Sequence, residues 1–365
     1  MSCPEMDLGE FGKRLREGLG GKRYPLSGTI ELTERCNLDC VHCYINQPAG
    51  SAEHRQRELT TAQWKDVLDQ IAAEGCLYLL ITGGEPLLRP DFLEIYDHAK
   101  RKGFIITLFT NGTLMTPEIA DHLAEWHPYV VEITLYGATA ETYERVTGVP
   151  GSFERCHRGI RLLRERGIPL RLKTVVMTLN VHEFDQIRDY VQRELEMEFR
   201  FDGTLWPRPD GAKCPADLRV APERLVEIAL SDARSVPEWQ RLIERHKQVS
   251  PHEDIETLYR CGAGLMSFKI GPYGELGLCV SSGEPFYSLV TGDFATGWHM
   301  RLRDARMREA TKPLQCRSCE LASLCGYCPV FARLENGDSE SVVEFACQIA
   351  HLEAWHTRKA LEVTL

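Results

Sequence analysis

Cys36, Cys40 and Cys43 stand in the stretch CNLDCVHCY, separated by gaps of three and two residues. Three thiols this close can share one metal centre. A structural zinc ion takes four ligands, commonly as two separated pairs, so the trio is one short. His42 adjoins Cys43, where one ion is hard for both side chains to reach. A partial zinc site or a redox trio is the plainer alternative. A cubane iron–sulfur cluster behaves differently, because each of its four irons takes one thiolate. Three cysteines then leave one iron open to a ligand that is not protein.

A second group follows far along the chain: Cys261, Cys279, Cys316, Cys319, Cys325, Cys328 and Cys347, with Gly274 five residues before Cys279. Seven thiols are too many for one cluster and one short of two complete ones. Two zinc ribbons also fit, since a C-x-x-C pair occurs twice. Cys3, Cys76, Cys156 and Cys214 stand alone.

The elements that must position these groups show in the periodicity. Between residues 28 and 201, short β-branched runs alternate with longer amphipathic ones, the pattern of parallel βα units. The runs predict strands over 29–33, 77–82, 105–109, 130–135, 170–176 and 198–201. The second helix carries a capping box, Thr60 with Gln63, an apolar face of Trp64, Val67, Leu68 and Ile71, and a stop at Gly75. Gly103 and Gly167 end two later helices in the same way. Each strand is followed by a polar or cysteine-bearing loop: the first trio, then TGGEP (82–86), TNGT (110–113), YGAT (136–139) and MTLN (177–180). In βα barrels such loops build one shared site. Six units are too few for a closed eight-stranded barrel, so the expected fold is α/β, an open partial (β/α)6 barrel followed by a small cysteine-rich C-terminal domain. A Pro-rich stretch, WPRPDGAKCP (206–215), marks a loop or domain edge. The loop FRFDGTLWPRPDG, with Arg200, Asp202, Trp206 and Arg208, is expected at the rim of the pocket and in contact with substrate.

Composition narrows the function classes. The chain has 365 residues, 43% of them hydrophobic, and a formal charge of -10, which offers no basic footprint for nucleic acid. No apolar stretch approaches the roughly 20 residues of a membrane span, and the first residues lack the apolar middle of a signal peptide. The expected location is the cytoplasm, with neither a membrane nor a nucleic acid as partner.

On these residues a resemblance rests. CNLDCVHCY resembles the CxxxCxxC signature of the radical SAM superfamily, and Gly83, Gly84, Glu85 and Pro86 are similar to its Gly-Gly-Glu-Pro motif. The resemblance implies a 4Fe-4S cluster on Cys36, Cys40 and Cys43 whose open iron holds S-adenosylmethionine, cleaved by reduction to a 5′-deoxyadenosyl radical. It implies Tyr44 near the adenine and Glu85 on the amino group. Thr110 and Asn111 would lie near the ribose or sulfonium, and Thr134 with Arg145 at the carboxylate. Asn111 and Gly112 also fit a tight turn, and Arg145 a solvated helix position.

The second group is similar to the SPASM domain appended to radical SAM enzymes that modify peptides. That resemblance implies two auxiliary 4Fe-4S clusters, an inner one on Cys261, Cys279 and Cys328 and an outer one on Cys316, Cys319, Cys325 and Cys347. The spacing between Cys325 and Cys328 is shorter than is usual there. The inner set has three ligands, leaving Cys214, another residue type or an open iron for the fourth. The segment around Tyr273 reads as a hairpin with its turn at 272–274 and Cys279 on the returning strand. The expected organisation is an N-terminal extension (1–27), the partial barrel (28–215), a helical connection (216–258), the auxiliary-cluster domain (259–350) and a tail (351–365). The extension is too short for a leader-binding domain. The implied activity is hydrogen abstraction from a ribosomally made peptide, giving a crosslink or other C–H modification. A flavodoxin or ferredoxin would serve as electron donor, and leader recognition would fall to a separate protein or to this chain's surface. Maturation of a sulfatase-type protein is the second enzymatic reading, and a zinc-ribbon binding protein is the non-catalytic one.

Overall fold

The computed structural model describes residues 8–45, 47–209, 215–248, 257–282, 286–314, 316 and 318–362. The six β-branched runs form β1 (Ser27–Glu31), β4 (Tyr78–Thr82), β5 (Ile105–Phe109), β6 (Val130–Thr134), β7 (Leu170–Val175) and β8 (Phe199–Asp202). Between the first two, β2 (Arg35–Cys36) and β3 (Gln47–Pro48) make a separate parallel pair. Three strands come from the C-terminal region: β9 (Ser267–Ile270), β10 (Glu275–Gly277) and β11 (Tyr287–Ser288).

The main sheet has nine strands in the order β11-β10-β9-β1-β4-β5-β6-β7-β8. Its six βα strands are parallel neighbours in chain order. The sheet has two ends and does not close, as the count of units required. β9 was not foreseen in this position. It pairs parallel with β1, from Ser27 opposite Ser267 to Ile30 opposite Ile270, so the sheet continues across the expected domain edge.

Local signals explain the helices. Thr61–Ala73 has its capping box in place and buries Trp64, Val67, Leu68 and Ile71, the four residues of the expected apolar face. Gly75, Gly103 and Gly167 adopt positive φ at the helix ends, where a side chain would be strained. Helices Pro222–Leu230 and Ser235–Gln248 pack on the last helix, Glu344–Glu362, which runs through the expected tail and buries Ala346, Ala350, Ala354 and Thr357.

The hairpin of β9 and β10 turns at Gly271–Gly274, with Gly274 at φ +85°. Cys279 lies two residues past the returning strand rather than on it. No helix among the described residues is long and apolar enough to cross a membrane.

Candidate active site

A cavity of about 360 Å³ opens at the C-terminal ends of the parallel strands. Cys36, Cys40 and Cys43 line it together with Tyr44, Gly83, Gly84, Thr110, Asn111 and Thr134. The first trio and most of the loop residues expected around it therefore share one space.

The glycines are there because the chain passes flush against the cysteine loop. A Cβ on Gly84 would lie 2.3 Å from the Arg35 carbonyl oxygen, and one on Gly83 would lie 2.3 Å from that of Thr33. Gly83 also takes φ +142°. Any side chain here would push the two loops apart. Beneath them, Arg35 donates to both carboxylate oxygens of the buried Glu58, at 2.8 and 3.0 Å. Arg89 joins the same carboxylate at 3.3 Å and Asp91 at 2.7 Å. Buried charges paired this fully fix the loop that enters Cys36 against the loop that leaves Gly84.

Glu85 does not line the cavity. It is fully buried and accepts hydrogen bonds from Thr110 Oγ1 at 2.7 Å, the Asn111 amide at 2.7 Å and the Leu87 amide at 3.0 Å. Burial raises its carboxyl to about 7 even against these donors. Pro86 is likewise buried behind the wall. Glu85 thus ties the loop after β4 to the loop after β5.

Asn111 is both a turn residue and a neighbour of the trio. Its side chain donates to Asn37 at 3.0 Å and to Cys36 Sγ at 3.7 Å, and accepts from the Thr113 amide. Gly112 follows at φ +74°. The Leu38 amide also donates to Cys36 Sγ, at 3.4 Å. Burial, with the Glu85 charge second, raises the free Cys36 thiol to about 12, so loading a metal group here expels a proton.

Tyr44 is half-buried, and its hydroxyl donates to Glu31 at 2.9 Å. Lys269 of β9 pairs with the same Glu31 at 3.1 Å. Arg145 stays outside the cavity as an exposed helix residue that donates to the Leu179 carbonyl at 2.6 Å. This is the solvated position its sequence also allowed.

Sequence reasoning missed Glu132, Tyr136 and Lys173 on the cavity wall. Glu132 pairs with Arg171 at 2.5 Å and with Lys173 at 3.0 Å, and the Lys173 ammonium sits 3.6 Å from the Phe109 ring centre. Their signal was the alternation of β6 and β7, in which every second residue faces the barrel interior.

The end of β8 and the loop after it bring Asp202, Thr204 and Trp206 to the cavity. Arg208 is buried and donates to the Cys43 carbonyl at 2.7 Å, while Arg200 pairs with Glu198 at the surface. Trp206 stacks on Phe331 of the C-terminal region, rings 4.5 Å apart. Ser281 and Leu334 of that region complete the wall.

The second cysteine group divides into two sets. Burial raises the thiols of Cys279 and Cys328, and each also feels its neighbours: Cys279 feels Cys261, and Cys328 feels both. Burial likewise raises Cys316, Cys325 and Cys347, and these feel one another and Cys319. Among the described residues, no three His, Cys, Asp or Glu converge closely enough to hold a single metal ion. One zinc would draw its thiolates to about 2.3 Å. Each set offers thiolates alone, the donor type that a multi-iron cluster takes. Cys214 lies outside the described residues.

The radical SAM superfamily matches residues 30–191. The mycofactocin maturase MftC of Mycobacterium ulcerans is 31% identical over 307 residues, which cover 81% of this chain and 80% of the relative. The AdoMet-dependent heme synthase of Methanosarcina barkeri is 40% identical over 153 residues, 42% of this chain and only 43% of the relative. Streptococcus suis SuiB bound to its precursor peptide SuiA superposes with a TM-score of 0.71 at 17% identity, over 95% of this chain and 83% of that one, a likeness of fold.

Proposed function

The chain belongs to the radical SAM superfamily, and on that premise we propose that it modifies a ribosomally made peptide at an unactivated C–H bond, giving a crosslink or related product. The observation that carries this reading is the composition of the cavity. The cysteine trio and the diglycine face the barrel interior, while Ser281 and Leu334 enter from the cysteine-rich region. The likeness to the heme synthase is confined to part of the chain, whereas the likeness to the peptide maturase extends over both regions.

Cys36, Cys40 and Cys43 would hold a 4Fe-4S cluster, which with bound S-adenosylmethionine would supply a 5′-deoxyadenosyl radical for hydrogen abstraction from the substrate. The chain's own residues do the rest. Gly83 and Gly84 present bare backbone to the methionine end of the cofactor. Tyr44, held by Glu31, offers a ring to its adenine. Thr110 and Asn111 are fixed by Glu85, which acts as a positioning residue rather than a direct contact. Thr134, Glu132 and Lys173 supply the polar floor. Asp202, Thr204 and Trp206 meet the peptide where the barrel faces the C-terminal region, and together these walls exclude water from the reacting carbon. Two auxiliary clusters, on the two sets of C-terminal cysteines, complete the assignment.

Co-expression with a short open reading frame beside its own gene tests the reading. The product peptide is expected to lose two hydrogens for each new bond, in a manner dependent on Cys36, Cys40 and Cys43. An unchanged peptide mass, in cells where the enzyme cleaves S-adenosylmethionine, would overturn it.

A further inference from the structure

We propose that the outer face of helix Ser152–Glu165 docks an acidic one-electron carrier protein, and that a file of aromatic rings connects this face to the loop of Cys40 and Cys43. The inference rests on the reading that the cavity works by reductive cleavage, which consumes one electron per S-adenosylmethionine.

The helix carries Arg155, Arg158, Arg161 and Arg164 at three-residue intervals, and its only acids are Glu154 and Glu165. Residues three apart are neighbours along a helix surface, and the row turns by roughly 60° per step, so Arg158, Arg161 and Arg164 share the outer side with the exposed Glu154 and Glu165, while Arg155 lies off it. Arg158, Arg161 and Arg164 are exposed, and none of the four arginines enters an ion pair among the described residues. Arginines nearby differ: Arg166 is paired with Asp121, Arg188 with Asp185 and Arg193 with Asp189. In a chain of charge -10, three arginines against two glutamates leave this side a small local excess of cations. Such a row draws an oppositely charged partner, speeds its encounter and weakens as salt rises.

A second, independent observation says what kind of partner. His42 and Tyr136 line the cavity, with ring centres 4.9 Å apart. From Tyr136 the file continues to Tyr143 at 5.8 Å, Phe153 at 5.7 Å and His157 at 4.2 Å, ending at Tyr190 at 5.2 Å. Phe153 and His157 belong to the arginine helix and are half-buried. The backbone makes the same connection. The Asp39 amide donates to the Thr147 carbonyl at 2.9 Å and the Val41 amide to that of Val146 at 3.0 Å, just before the helix begins.

The step balances simply. The carrier loses one electron and the cluster at the trio gains it, with no atom or proton transferred. The rings serve as a contiguous tunnelling medium and are themselves neither oxidised nor reduced.

The test uses the intact, iron-loaded chain and a reduced flavodoxin. The readout is the freeze-quenched EPR signal that shifts on adding S-adenosylmethionine, which reports the trio's cluster. R158E/R161E/R164E is expected to slow flavodoxin-driven reduction at low salt by tenfold or more. Wild-type reduction should slow steeply with added salt. Dithionite should reduce both proteins equally, and both should then form 5′-deoxyadenosine. The double variant F153L/H157L should bind flavodoxin as wild type does in a calorimetric titration, yet be reduced several-fold more slowly. Equal flavodoxin-driven rates for wild type and the arginine variant would overturn the docking face. Failure of dithionite-reduced wild type to cleave S-adenosylmethionine would instead strike the functional reading beneath it.

Discussion

Glu85 shows how one side chain joins sequence, stability and site. Its carboxyl is raised by burial to about 7, above the value it has in the unfolded chain. Its contribution to stability is therefore fully present below the unfolded value and is lost as pH rises through about 7. At 1.36 kcal/mol per pKa unit the loss amounts to about 3 kcal/mol at most. Urea unfolding at pH 5 and pH 8 should show wild type losing stability relative to Glu85→Gln, and parallel pH dependences would refute the assignment. At the rim of the cavity, Asp202→Ala is expected to raise KM for the peptide several-fold while iron content and cleavage of S-adenosylmethionine stay unchanged; an unaltered KM would remove Asp202 from the substrate wall. The cysteines and glycines of the site were legible because their signal is local spacing. The roles of Glu85, Arg145 and Arg208 were not, because each is decided by a partner distant in sequence: Asn111, Leu179 and Cys43.

The strands of the barrel were legible to within two residues, the first being expected at 29–33 and found at Ser27–Glu31, and the capped helix Thr61–Ala73 was legible from its box and stop, since period and caps agree along each segment. The hairpin of β9 and β10 was legible as a hairpin but not as part of the barrel sheet, because strand pairing over more than 200 residues leaves no local mark. That seam is tight. A Cβ on Gly28 of β1 would lie 2.6 Å from the Phe268 ring of β9, which packs on Phe294 and Trp298. Gly28→Ala should therefore cost about 1–3 kcal/mol by overpacking. Tyr273 of the turn also donates to Glu34 at 2.8 Å, beside the first cysteines. Thermal unfolding with iron analysis is expected to show a lower Tm and reduced retention of the C-terminal iron. Wild-type values for both would mean that the seam is not needed to hold the hairpin.

Across the whole molecule, two cysteine-bearing regions share one cavity and one sheet, joined by the pairing of β1 with β9 and by Trp206 on Phe331, Lys269 on Glu31 and Arg219 on Glu335 at 2.7 Å. The trio and the two C-terminal sets are nevertheless separate groups of thiols. The most direct measurement is anaerobic cleavage of S-adenosylmethionine under strong reductant by wild type and by C36A/C40A/C43A, with iron counted in both. The account predicts methionine and 5′-deoxyadenosine in equal amounts from wild type. It predicts none from the variant, which should lose one cluster's iron and keep that of the C-terminal sets. Substantial 5′-deoxyadenosine from the variant would contradict it.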